Sequence, residues 1–151
     1  MLRGQDRLNR QQFFQTRMAN WPAEDVEAHT GLERHLQSLP GHEQSLLVPA
    51  EGEAAFNRQL ISRGVLHGGQ SVPMPGNPNS CHGNSANCAA REPDTELWTG
   101  YASSKDGLWR NHSWVRRGGQ IHETTTPRTA YFGALLTDVE RENFIANNRE
   151  D

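Results

Sequence analysis

The pair Gly118-Gly119 constrains this chain more than any other feature. It separates two runs of strand-forming character, His112-Ser113-Trp114-Val115-Arg116 and Gln120-Ile121-His122-Glu123-Thr124-Thr125. Two glycines supply the positive φ that a two-residue hairpin turn demands. Such a turn also fixes the register, with Arg117 facing Gln120. Side chains alternate along a strand, so His112, Trp114 and Arg116 share one face, and Ser113 and Val115 the other. Glu123 then falls opposite Trp114, a diagonal neighbour of His112 on the same face and within reach of its imidazole.

A buried imidazole beside a carboxylate is a base with its orienter, and Cys81 supplies a nucleophile for it to serve. It lies in Asn79-Ser80-Cys81-His82-Gly83-Asn84. The preceding Pro75-Gly76-Asn77-Pro78-Asn79-Ser80 reads as a loop. The following Asn84 to Arg91 reads as a helix that ends before Pro93. Cys81 is therefore expected at or near a helix N-terminus. There the helix dipole favours a thiolate, and the free N–H groups of the first turn can bind an oxyanion. The reading requires this helix to pack on the face that carries His112 and Glu123. His112 would take the thiol proton and Glu123 would hold the ring.

Several polar and aromatic residues are candidates to complete such a site. Gln70, Asn77, Asn79 and Asn84 could supply a side-chain oxyanion donor or a substrate contact, and the sequence does not choose among them. Trp109, just ahead of Asn111-His112, and Trp114 could wall a cleft. His82 competes with His112 as the base, but neighbours on a helix point in different directions. His122 falls on the opposite strand face. Cys88, mid-helix beside Ala89 and Ala90, reads as a small buried apolar residue and the less reactive thiol. Two helical turns, about 10 Å, separate it from Cys81, too far for a disulfide.

A Cys at a helix start, then a strand carrying His112-Ser113-Trp114, a Gly turn, and a strand carrying Glu123-Thr124-Thr125 resembles the transglutaminase-like and papain-like cysteine hydrolases. The match covers roughly residues 78 to 126 and departs from the family pattern in two ways. The acid is Glu123 where the family has Asp, and the interval from His112 to the acid is short. The resemblance implies a thiol hydrolase or acyltransferase acting on a peptide, protein or small amide, without a cofactor.

The rest of the chain sets the frame. Leu8, Phe13, Phe14 and Met18 give residues 1–20 a weakly amphipathic helical period, and residues 22–39 and 51–61 read as further helices. Leu46-Leu47-Val48 reads as a short strand and Gly68 to Gly76 as an irregular loop. Leu97 to Ala102 and Ala130 to Leu136 are strands, and Thr137 with Glu140 forms a capping box for a last helix. The expected class is α+β in a single domain, residues 1–151, with a mainly helical part, 1–66. A core, 78–136, has the Cys81 helix packed on a small antiparallel sheet, as in papain-like and transglutaminase-like proteins.

The net charge of −3 and pI near 6.2 argue against nucleic acid as a partner. No apolar run is long enough for a membrane span or a secretory leader, which points to a cytoplasmic protein. Cys81, His82 and Cys88 with His112 or His122 could form a small zinc site, but the spacing lacks the two close ligand pairs of zinc proteins, so no metal is expected. A non-catalytic binding module on the same fold is the other alternative.

Overall fold

The computed structural model describes residues 4–150. The chain divides into two compact units, one of Met1–Gly64 with Ser103–Arg110, the other of Val65–Ala102 with Asn111–Asp151.

The first unit holds α1 (Gly4–Arg17), α2 (Ala23–Gln37), β1 (Leu46–Leu47) and α3 (Ala54–Arg63). α2 and α3 pack through buried Leu32, Leu36 and Leu60, which recur at helical spacing. β1 pairs in parallel with Leu108 and Trp109, and Phe14 of α1 joins Leu46 and Leu108 in one apolar cluster. Glu33 of α2 accepts the Leu47 N–H at 2.9 Å, tying helix to strand.

The second unit holds β2 (Val65–Gly68), β3 (Ser71–Pro73), α4 (Cys81–Arg91), all but the last residue of β4 (Glu96–Ser103), the part of β5 (Leu108–Arg117) from Asn111 on, β6 (Gln120–Glu123), β7 (Ala130–Leu135) and α5 (Asp138–Asn148). Its sheet runs β2-β7-β4-β5-β6-β3. The hairpin follows the expected register: Arg117 faces Gln120, Arg116 faces Ile121 and Val115 faces His122. Gly118 and Gly119 take φ of 56° and 79°, the backbone that two-residue turns need and side-chain-bearing residues resist. Thr137 and Glu140 form the expected capping box at the start of α5. The described residues thus form a mixed α/β structure of five helices and a mostly antiparallel sheet. None of their helices is long and apolar enough to cross a membrane.

Two expectations need correction. The segment Gly68–Gly76 is not wholly irregular: β3 pairs in parallel with β6, Ser71 against Ile121 and Pro73 against Glu123, and the Met74 N–H donates to the Glu123 carbonyl at 2.8 Å. Only three residues take part and they include a proline, so no local pattern announces the strand. The second concerns α4, which packs on the Ser113 and Val115 face, not on the face of His112 and Glu123. Cys88 and Ala89 of α4 join Leu97 and Val115, with Phe144 and Ile145 of α5 against them. Arg141 of α5 donates from Nη2 to the Ala89 carbonyl at 2.8 Å and from Nη1 to the Thr95 carbonyl. The opposite face buries Trp98, Ala102, Trp114, Ile121 and Tyr131.

Candidate functional site

Cys81 opens α4 behind a loop with a defined shape. The Asn84 side chain closes that loop on itself, its Oδ1 accepting the Asn77 N–H at 2.9 Å and its Nδ2 donating to the Asn77 carbonyl at 2.8 Å. Gly76 lies so close that an added Cβ would stand 2.6 Å from Asn84 Nδ2. Asn79 turns the chain with φ of 58°, a conformation Asn tolerates better than most residues. Ser80 precedes the helix without a side-chain cap, so its hydroxyl takes none of the first-turn N–H groups.

The thiol is free and half-buried. The His112 side chain and the Ser113 backbone N–H both act on it and favour its anion. β6 accompanies β5 only along Val115–Arg117, so the backbone of β5 ahead of Val115 is not held by β6. Cys81 meets the strand there, at the Ser113 N–H.

His112 is 1% exposed and Glu123 is 3% exposed. His112 Nε2 stands 2.9 Å from Glu123 Oε1. A carboxylate only accepts, so Nε2 carries the hydrogen and Nδ1 is left for the thiol. The same Oε1 accepts the Tyr131 hydroxyl at 2.7 Å, while Oε2 accepts the Thr125 N–H at 2.9 Å and the Thr125 hydroxyl at 3.0 Å. Burial opposes ionisation of Glu123, but His112, Thr125 and Tyr131 more than offset it and hold its pKa at about 2. The Trp114 ring stacks on His112 with centroids 6.0 Å apart and fixes the imidazole plane from behind.

The same forces act on the pair itself. Burial disfavours the Cys81 thiolate, yet the hydrogen bond and charge of His112, the Ser113 N–H and the charge of Arg128 bring its pKa below that of an ordinary thiol. Burial also disfavours the His112 cation, and the bonds to Cys81 and Glu123 overcome it and raise the imidazole pKa. Cys88 is the contrast: burial and the adjacent Glu92 push its thiol up to about 11.

His82 faces elsewhere. Its Nδ1 is 2.6 Å from Ser113 Oγ, which in turn is 2.8 Å from Thr99 Oγ1. Burial lowers its pKa, against the Asn111 side chain, which accepts from the protonated ring and raises it. The structure thus brings Cys81, His112 and Glu123 together and gives His82 to a hydroxyl network.

The remaining sequence candidates scatter. Trp109 belongs to the first unit, where its ring lies 5.0 Å from His42. Trp114 is fully buried and supports His112 instead of walling a cleft. Asn77 and Asn84 hold each other, and Asn79 is exposed on the loop. Gln70 lines a cavity of about 320 Å³ together with Ser71, Pro73, Glu123, Thr125 and Pro127. Among the described residues no three His, Cys, Asp or Glu side chains converge to hold a metal ion.

Sequence reasoning missed Tyr131, Thr125 and Arg128. Thr125 carried a signal, because a Thr two positions after a carboxylate can return both its N–H and its hydroxyl to that side chain. Tyr131 depends on a strand whose pairing no local pattern specifies, and Arg128 on the turn that leads into it. Comparison with known protein families, curated proteins and solved structures yields no match to this chain.

Proposed function

We propose that the chain is a cysteine-dependent hydrolase or acyltransferase acting on an amide or peptide bond, with Cys81 as nucleophile, His112 as base and Glu123 as orienter, on a core akin to the papain-like and transglutaminase-like proteins. The observation that carries this reading is the continuous path from the Cys81 thiol through the His112 ring to a four-donor Glu123 carboxylate, in a setting that lowers the thiol pKa and raises that of the imidazole. A cysteine kept only for packing has no need of this arrangement, and Cys88 has none of it.

The chemistry runs as follows. The Cys81 sulfur attacks the substrate carbonyl carbon, forming a C–S bond as the carbonyl π pair moves to oxygen. N–H groups of the first turn of α4 stabilise the oxyanion. His112 gives its proton to the amide nitrogen, the C–N bond breaks, and the amine leaves a thioester on Cys81. A water, or an amine in a transferase, then loses a proton to His112 as it attacks the thioester carbon. Collapse of that intermediate expels the thiolate and restores the pair.

The test is a screen of peptide and small-amide substrates with the wild-type chain and Cys81→Ser, coupled to mass spectrometry of Cys81. Turnover with an acyl group trapped on Cys81 is expected. Turnover that survives in Cys81→Ser overturns the reading.

A further inference from the structure

Arg128 is a cation without an anion. Its Nε donates to the Thr126 carbonyl at 3.0 Å and its Nη2 to the Thr125 hydroxyl at 3.3 Å. Among the described residues it has no carboxylate partner, whereas Arg58, Arg110, Arg116 and Arg117 each have one. It is nonetheless held in place, because Thr125 is itself bound through its N–H and hydroxyl to Glu123. The guanidinium is half-buried and its charge is felt at both Cys81 and Tyr131. Thr125 forms one wall of the cavity bounded by Gln70, Ser71, Pro73, Glu123 and Pro127. The only carboxylate in that wall is Glu123, and its two oxygens are already taken by His112, Tyr131 and Thr125.

We propose that Arg128 reads a carboxylate on the substrate of the Cys81 site, so that the preferred substrates are acidic amides: peptides with a negative charge close to the bond that reacts. The proposal rests on the reading of Cys81 as a nucleophile toward amides. A guanidinium whose donors are only partly used by neutral oxygens keeps N–H groups for an incoming carboxylate, and it does so in a fixed geometry. A side-chain carboxylate and a free C-terminal carboxylate offer Arg128 the same chemistry.

The experiment compares the alkylation of Cys81 by iodoacetate and by iodoacetamide, two reagents of similar size that differ in one negative charge. Rates are read at Cys81 by mass spectrometry at low ionic strength in wild type, Arg128→Gln and Arg128→Lys. The ratio of the two rates cancels any change in the amount of thiolate and leaves the effect of charge. In wild type and Arg128→Lys the ratio should favour iodoacetate about fivefold more than in Arg128→Gln, the scale of one charge pair at a wet surface. An unchanged ratio overturns the assignment of Arg128 while leaving the activated thiol intact. A Cys81 that reacts with both reagents no faster than an ordinary cysteine overturns the underlying reading instead. Protection on the unmutated chain identifies the source of the carboxylate: N-acetylalanine presents a free α-carboxylate and N-acetylglutamate α-amide a side-chain one. Slower Cys81 labelling with either acid, and not with its neutral amide, supports the proposal, and protection by neither overturns it.

Discussion

Tyr131 and His112 hold the same oxygen of Glu123, the phenol at 2.7 Å and the imidazole at 2.9 Å. One carboxylate oxygen thus links β5, β6 and β7. Tyr131 is a positioning residue here: it touches neither the thiol nor the ring nitrogen that serves it, and it fixes the anion that aims the ring. Hydrogen bonds to a charged group contribute about 1.5–3 kcal/mol each. Tyr131→Phe should lower stability by that amount in urea unfolding at neutral pH, and it should slow Cys81 alkylation less than any change at His112 does.

Removal of His112 should have the largest effect on the thiol. Cys81 in the wild type should alkylate rapidly at pH 6, where Cys88, held at about 11, stays protonated. His112→Ala should cut the pH 6 rate at Cys81 on the order of tenfold or more, since each unit of thiol pKa is a factor of ten in thiolate. His82→Ala should leave it nearly unchanged. Site-resolved iodoacetamide labelling checks both, and the reverse pattern would give the base to His82.

Glu123 gives the fold an acid dependence of definite sign. Its pKa falls from 4.5 unfolded to about 2 folded, so its ionisation stabilises the native state above pH 4.5. That contribution drains away as the pH falls from 4.5 toward 2. Glu123→Gln should be less stable than wild type at neutral pH by on the order of 3 kcal/mol. The gap should close on acidification through this window. Urea titrations at pH 7, 4.5 and 3 read it directly, and a gap that widens at low pH would contradict the assignment.

Gly133 lies where β7 passes Trp114. A Cβ there would stand 2.6 Å from the Trp114 ring and 2.6 Å from the Thr99 carbonyl. Gly133→Ala should cost about 1–3 kcal/mol as an overpacking change. Because Trp114 backs the His112 ring, the variant should also slow Cys81 alkylation at pH 6, which thermal unfolding and labelling together can separate from simple loss of folded protein.

Asn84 should prove structural. Asn84→Ala removes two hydrogen bonds to the Asn77 backbone, each contributing about 1 kcal/mol. Limited proteolysis between residues 75 and 80 should accelerate in the variant.

How far the sequence speaks for these features depends on their range. The hairpin was readable because everything that defines it is local: Gly118 and Gly119 demand the turn, the turn sets the register, and the register brings His112 to Glu123. The start of α4 at Cys81 was readable from the proline- and asparagine-rich loop before it. The side of the sheet that receives α4 was not readable. Alternation sorts Ser113 and Val115 from His112 and Trp114, but says nothing of which set meets a helix, because both sets are buried. β3 stayed hidden for a related reason, since its partner β6 lies far along the chain; Tyr131 lies only eight residues from Glu123, but no local pattern says that β7 returns to it.

The convergence on Glu123 also bears on the life of the chain before it is folded. Its four donors come from β5, from Thr125 just after β6, and from β7, and β7 is the last of these made in synthesis. Until β5, β6 and β7 lie side by side, Cys81 is a plain thiol, largely protonated at neutral pH and slow toward electrophiles. The activated sulfur therefore exists only in the finished fold, and the growing chain is spared the modification and cross-linking that an exposed thiolate would invite.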